Sequence, residues 1–281
     1  FNNMKISEVE YEQRTRNVAV SDEEFFQNLP TIKLALERAI SGMCRIYRGE
    51  HARSEGVQYV EPAKFKRRSA NTMNYYTEIV DNSDRWSMYP KRSESLICST
   101  DFVNASGYGT AFVVLPQGNP VIGICPGEDW WYSFPQLAEV LRRGSGPADL
   151  NSALQYIYHT LTHNELGEAP SYAELVDALQ AIDRLNPYWQ GRRTGSTTSG
   201  DDLFHGSWAW KDEAANRLLK LGGNMLRTCD QLLDPAKNSF QVRHLSELKF
   251  SGEHEVWLSA PSYMVPRDKF QYWRVNGKLQ G

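Results

Sequence analysis

The sequence predicts an α+β fold in which a helical segment interrupts a strand-rich chain, and three observations carry this. Runs of strand formers bounded by turn residues recur between Cys44 and Cys125 and again from Leu248 to Val275. Between them, from near Phe134, helical spacing holds for about a hundred residues. Strands, then helices, then strands is the order of an α+β protein, and 281 residues suffice to bury a real core.

Phe1, Asn2 and Asn3, ahead of Met4, are set aside from the fold reading. Ser21 with Glu24 reads as a capping box, and Phe25, Leu29, Ile32, Leu36 and Ile40 follow at near-helical spacing until Gly42 ends the run. Pro30 falls inside this pattern and is expected to kink or divide the helix. Cys44–Arg48 is the expected first strand. Residues 49–92 are irregular, with an aromatic cluster at Tyr75, Tyr76 and Trp86. Strands are expected at Ser95–Thr100, Thr110–Leu115 and Val121–Cys125.

The helical part opens near Phe134. Leu150, Leu154, Ile157 and Leu161 mark one face, and Ser171 with Glu174 caps a second helix carrying Leu175, Val176, Leu179, Ile182 and Leu185. Gln190–Gly206, rich in Gly, Ser and Thr, reads as a mobile loop, and one further helix fits Ala214–Cys229. Strands are expected again at Leu248–Phe250, Glu255–Ser259, Tyr263–Val265 and Lys269–Val275, before an Asn276-Gly277 turn. The expected organisation is an N-terminal helical region over 1–42, a core from 43–133 and 242–281, and a helical insertion over 134–241.

Composition narrows the function classes. Apolar residues at 41% and charged residues at 23% give a soluble globular profile. No run approaches the ~18 apolar residues of a membrane span, and no signal-peptide pattern opens the chain. A net charge of −3 disfavours a dedicated nucleic-acid binder, and the basic cluster Lys64, Lys66, Arg67 and Arg68 reads as a solvated loop. Cys44, Cys98, Cys125 and Cys229 are scattered with no CxxC pair, which fits reduced thiols and a cytoplasmic setting. His159 and His163 share a helix face but lack a third ligand, so a surface pair is expected and no metal. The GxxxxGK[ST], GxGxxG and GxSxG signatures are absent. Asp129-Trp130-Trp131-Tyr132 reads as core packing ahead of a wall for a nicotinamide pocket.

Three segments point to chemistry. They are Tyr47-Arg48-Gly49-Glu50, Ser99-Thr100-Asp101 at a strand end, and Glu253-His254-Glu255 opening a strand. Singly, each has a plain reading: a salt-bridged arginine, ordinary strand polarity, the solvated face of a strand. In order and local context, the set resembles the three motifs of the arginine–serine–glutamate class of ADP-ribosyltransferases, found among bacterial toxins and bacteriophage enzymes. The resemblance covers residues 43–50, 93–125 and 245–275. Two features depart from the family: Asp101 stands where a second serine is usual, and Ser99 and Glu253 are 154 positions apart, which an insertion must supply.

The resemblance implies a split β-sandwich core of ADP-ribosyltransferase type with an N-terminal helix and a helical insertion. It implies a glycosyl-transfer reaction in which NAD⁺ is the substrate, nicotinamide is released and ADP-ribose passes to an acceptor. Glu255 would face the oxocarbenium-like ribose, where a carboxylate stabilises charge that develops only in the transition state. Arg48 and Gly49 would meet the diphosphate, and Ser99 and Thr100 would orient Glu255 and the ribose. Glu253, two residues from Glu255 and so on the same face of an extended strand, goes in the family with a protein arginine as acceptor. The expected partners are therefore NAD⁺ and a protein with an exposed arginine, in the cytoplasm, or in a host's cytoplasm for a phage or toxin effector. The alternatives are an NAD⁺ glycohydrolase, a transferase acting on nucleic acid, and an inactive interaction protein.

Overall fold

The computed structural model describes residues 17–50, 56–68, 73–141, 150–167, 169–189 and 205–279. The chain divides into two compact units, one of Phe1–Ala70, Met88–Trp130 and Ser239–Gly281, the other of Asn71–Ser87 and Trp131–Asn238.

Among the described residues, the first unit is built on nine strands: β1 (Val18–Val20), β2 (Tyr47–Glu50), β3 (Val57–Val60), β4 (Leu96–Ser99), β5 (Thr110–Pro116), β6 (Val121–Ile124), β7 (Gln241–His244), β8 (Glu255–Leu258) and β9 (Ser262–Pro266). Every pairing is antiparallel, in the order β1-β3-β9-β5-β2-β4-β8-β6-β7. The ladder is uneven. β2 meets β5 over four residue pairs and β4 meets β8 over four, but β2 and β4 touch at one pair, Tyr47↔Ser99. The sheet is thus two blocks joined at a single residue pair.

β5 and β9 form the apolar centre, with Phe112, Val113, Val114, Leu115, Met264 and Val265 buried. The N-terminal helices belong to this same core, because Phe25, Ile32 and Leu36 are buried in it. Ser21 caps the first helix (Asp22–Gln27) by accepting from the Glu24 N–H. Pro30 stands in a 3₁₀ turn that separates it from the next helix (Lys33–Ser41), and Gly42 ends that helix at φ 77°.

The second unit is helical: Tyr75–Asp81, Pro135–Leu141, Leu150–Thr162, Tyr172–Trp189, His205–Lys220 and Met225–Leu232. Tyr75 and Tyr76 are fully buried, and Tyr76 packs against Trp131 and Phe134 at ring separations of 4.9 and 5.7 Å. Ser171 and Glu174 form the expected reciprocal cap.

Several expectations are corrected. The first motif strand is Tyr47–Glu50 rather than Cys44–Arg48, and β1, β3 and β7 arise where no strand was expected. Leu248–Phe250 is not a strand, and Lys269–Val275 lies in a helix (Arg267–Val275) that buries Phe270 and Trp273 three residues apart. The helix expected over Ala214–Cys229 is two, broken at Gly222 and Gly223, whose φ values of 72° and 79° no helix accommodates. Of the expected loop Gln190–Gly206, residues 190–204 lie outside those described, and its end enters the helix His205–Lys220. Segment 71–87, expected in the core, belongs with the helical unit, whereas the N-terminal helices belong with the sheet.

Candidate active site

The three motif segments sit on adjacent strands: Arg48 on β2, Ser99 at the end of β4, Glu255 at the start of β8. Register carries the pairing further. Tyr47 is opposite Ser99, and Ser99 is opposite Glu255, so these three side chains form one cross-strand row at the junction. Thr100 extends the β4–β8 pairing past the strand ends. Its N–H donates to the His254 carbonyl at 2.9 Å, and its hydroxyl accepts from the His254 N–H at 2.9 Å. A threonine here therefore fixes the position of the segment that carries Glu253.

Glu255 is half-hidden, its side chain 14% exposed, and both carboxylate oxygens are engaged. Oε1 makes an ion pair with Arg92 Nη1 at 2.6 Å, and Oε2 accepts from the Trp130 N–H at 3.1 Å. Around its backbone, the Glu255 N–H donates to the Gly127 carbonyl and its carbonyl accepts from Cys125. The loop 125–130 thus wraps the start of β8.

Glu253 lies before the strand and is exposed, not the first residue of a shared strand face as the sequence suggests. Its carboxyl is hydrogen-bonded with that of Glu128, and that contact, with the charges of Glu128 and Asp101, raises its pKa above the usual carboxylate range while Asn104 opposes the rise. Asn104 also donates to Glu128 at 3.2 Å. The two glutamates therefore meet alternate residues of one loop, Glu253 beside Glu128 and Glu255 beside Trp130. Tyr108, just past the helix Phe102–Ser106, has its phenol pKa pushed up by partial burial and by the charges of Asp129 and Glu255.

Ser99 and Arg48 each have partners within the fold. The Ser99 hydroxyl accepts from the Asp101 N–H at 3.0 Å, starting the turn in which Asp101 caps the short helix Phe102–Ser106. Asp101 in place of a second serine is therefore a helix cap. Arg48 is one residue out of phase with Tyr47, so it leaves β2 on the face opposite the Tyr47–Ser99–Glu255 row. Its Nε pairs with Glu50 at 2.6 Å and its Nη1 donates to the Ile97 carbonyl at 2.7 Å, bridging β2 to β4 beside the single-pair junction. Burial pulls the Arg48 pKa down, but the Glu50 carboxylate and Cys98 more than offset it, and the net direction is upward. A small cavity lies alongside, lined by Arg48, Glu50, Phe65, Arg67, Ser95 and others.

Gly49 is needed for close packing within the fold. A Cβ there would lie 1.8 Å from the Ala105 carbonyl oxygen, because the helix Phe102–Ser106 and its following turn press against β2.

The residues that sequence reading missed are Arg92, Glu128 and Asn104. Arg92 opens a 3₁₀ turn (Arg92–Glu94) before β4 and is 5% exposed. No periodicity or motif singles out any of the three, because each acts through a loop that only the fold closes. Among the described residues no His/Cys/Asp/Glu group with metal-binding geometry is present, and His159 and His163 are exposed. Among them, too, no helix is long and apolar enough to cross a membrane.

No family model, no curated protein and no solved structure matches the chain.

Proposed function

We propose that the protein is a mono-ADP-ribosyltransferase that cleaves NAD⁺ and transfers ADP-ribose to a protein arginine. The observation that carries this reading is the cross-strand row: residues 99 and 255, far apart in sequence and named by two resembling motifs, are direct partners at the point where the two strand blocks join. The single-pair junction between β2 and β4 also favours the finer architecture, a split β-sandwich.

In the proposed reaction the bond between ribose C1′ and the nicotinamide nitrogen breaks, and nicotinamide leaves with the electron pair. Glu255 stabilises the positive charge that the ribose develops. A carboxylate offers about four acceptor positions. The Trp130 N–H takes one and Arg92 is paired by charge to the other oxygen, which leaves capacity for a ribose hydroxyl. A guanidinium nitrogen of the acceptor then bonds C1′ and gives up a proton, for which Glu253 is the base. The surrounding carboxylates of Asp101, Glu128 and Asp129 favour a cationic acceptor over nucleic acid. Arg48 takes a narrower role than the resemblance implies. One of its five N–H donors bridges β2 to β4 and a second pairs with Glu50 on its own strand, and the rest of the fork would meet the diphosphate. The helical unit is proposed to select the acceptor.

NAD⁺ labelled in the adenylate moiety, incubated with the protein and a cell lysate, tests the reading. Labelled protein sensitive to arginine-competing guanidino compounds is the expected result. Free ADP-ribose alone would make the protein a glycohydrolase, labelled nucleic acid would move the acceptor, and intact NAD⁺ would leave an interaction protein.

A further inference from the structure

We infer that Arg92 is a positioning residue for Glu255, setting the direction in which its carboxylate faces the reacting ribose; the inference rests on the transferase reading above. The geometry is specific. The Arg92 guanidinium lies 4.1 Å from the centre of the Trp130 ring and 5.8 Å from that of Trp257, while Nη1 grips Glu255 Oε1 at 2.6 Å. The flat cation thus lies against aromatic faces with its charge set on one carboxylate oxygen, and an ammonium cannot reproduce the planar, stacked part of that arrangement.

The aromatic frame is itself fixed. Trp130 and Trp257 are fully buried and meet edge to face at 5.5 Å. Trp257 donates from its indole to the Pro90 carbonyl at 2.8 Å, and its ring occupies the space above Gly123, where a Cβ would come within 2.2 Å of it. Trp130 contributes twice, its ring to Arg92 and its N–H to the other oxygen of Glu255. One tryptophan therefore ties both partners of the ion pair. The carboxylate is clamped at two points, and a shift of about 1 Å at such a group is enough to cost on the order of a hundredfold in rate.

A merely stabilising ion pair would affect folding and leave turnover per folded molecule alone. Steady-state NAD⁺ cleavage by purified full-length Arg92→Lys and Arg92→Gln, with the folded fraction measured by circular dichroism, separates the two. The expected result is a kcat lowered by roughly tenfold in Arg92→Lys and a hundredfold in Arg92→Gln, with KM for NAD⁺ within about twofold of wild type. Partial rescue by lysine marks charge with imperfect aim. Wild-type kcat in folded Arg92→Lys would overturn the inference even if Arg92→Gln fails to fold, and so would equal kcat in the two variants. A wild-type protein that leaves NAD⁺ intact would instead bring down the transferase reading itself, and the positioning role with it.

Discussion

Because Arg92 is buried beside it, Glu255 cannot lose its charge without consequence for the fold. Glu255→Gln is nearly isosteric, yet it removes the carboxylate charge that a guanidinium only 5% exposed is paired with. Breaking one side of such a pair costs about 3–5 kcal/mol. We expect Glu255→Gln to lose NAD⁺ cleavage in kcat and to unfold at distinctly lower urea; a stable, fully active variant would remove Glu255 from the reaction. Glu253 should behave differently, since it is exposed and bonded to a second carboxyl. Glu253→Gln is expected to keep NAD⁺ hydrolysis and lose arginine labelling by two to four orders of magnitude, about the range for a lost general base. The pH dependence follows from the same contact. Glu128 raises the Glu253 pKa, so the base is ionised only at higher pH than an ordinary glutamate, and arginine transfer should fall off on the acid side sooner than hydrolysis does. In Glu128→Gln the amide stabilises the ionised form and the acid limb of transfer should move to lower pH. Superimposable profiles for the two proteins would detach Glu253 from the proton transfer.

At the scale of elements, glycine 49 gives the most direct test of the packing around the site. Gly49→Ala must displace the Ala105 carbonyl or part β2 from the helix Phe102–Ser106. Overpacking of this kind costs about 1–3 kcal/mol, read as a shift in the urea midpoint at constant m. An unshifted midpoint would mean that the helix yields freely. What was legible in the sequence divides along physical lines. Elements whose signal is local could be read: the Ser21 and Ser171 caps, the break at Pro30, and the strands around residues 96–99, 110–116 and 255–258. Lys269–Val275 reads as a strand because its aromatic and β-branched residues favour strands, whereas its buried pair Phe270 and Trp273 follows the helical period. Val18–Val20 and Gln241–His244 are edge strands with exposed faces, so they lack the alternation that identifies a half-buried strand. At the site, the motif residues were visible as motifs, but Arg92 and Glu128 come from turns whose position depends on tertiary closure.

For the molecule as a whole, the two units exchange the chain more often than a simple insertion would require. The helix Tyr75–Asp81 lies ahead of the Ser99 strand in sequence but belongs to the helical unit, where Tyr75, Tyr76, Ile79 and Val80 are buried. Removing Trp131–Asn238 alone would strip the cover from those side chains, and that variant should aggregate. Removing Asn71–Ser87 as well, with short linkers at both places, should leave a soluble protein that hydrolyses NAD⁺ slowly and labels no protein. Retained labelling of the same targets would end the proposal that the helical unit selects the acceptor.

The order of strands in the sheet also bears on how the chain is made. β8 and β9 come after all the others in sequence, yet β8 lies between β4 and β6, and β9 between β3 and β5. During synthesis the ribosome delivers their four neighbours first, each with an open hydrogen-bonding edge, and the gaps close only when residues 255–266 emerge. Until then β3, β4, β5 and β6 are templates for strands of other chains, which is the exposure that leads to aggregation. Pairs such as Ser99↔Glu255 also close a long loop, so folding should be slow for a protein of this size. The candidate catalytic row is therefore among the last contacts to form, and a nascent or truncated chain that lacks β8 cannot assemble it.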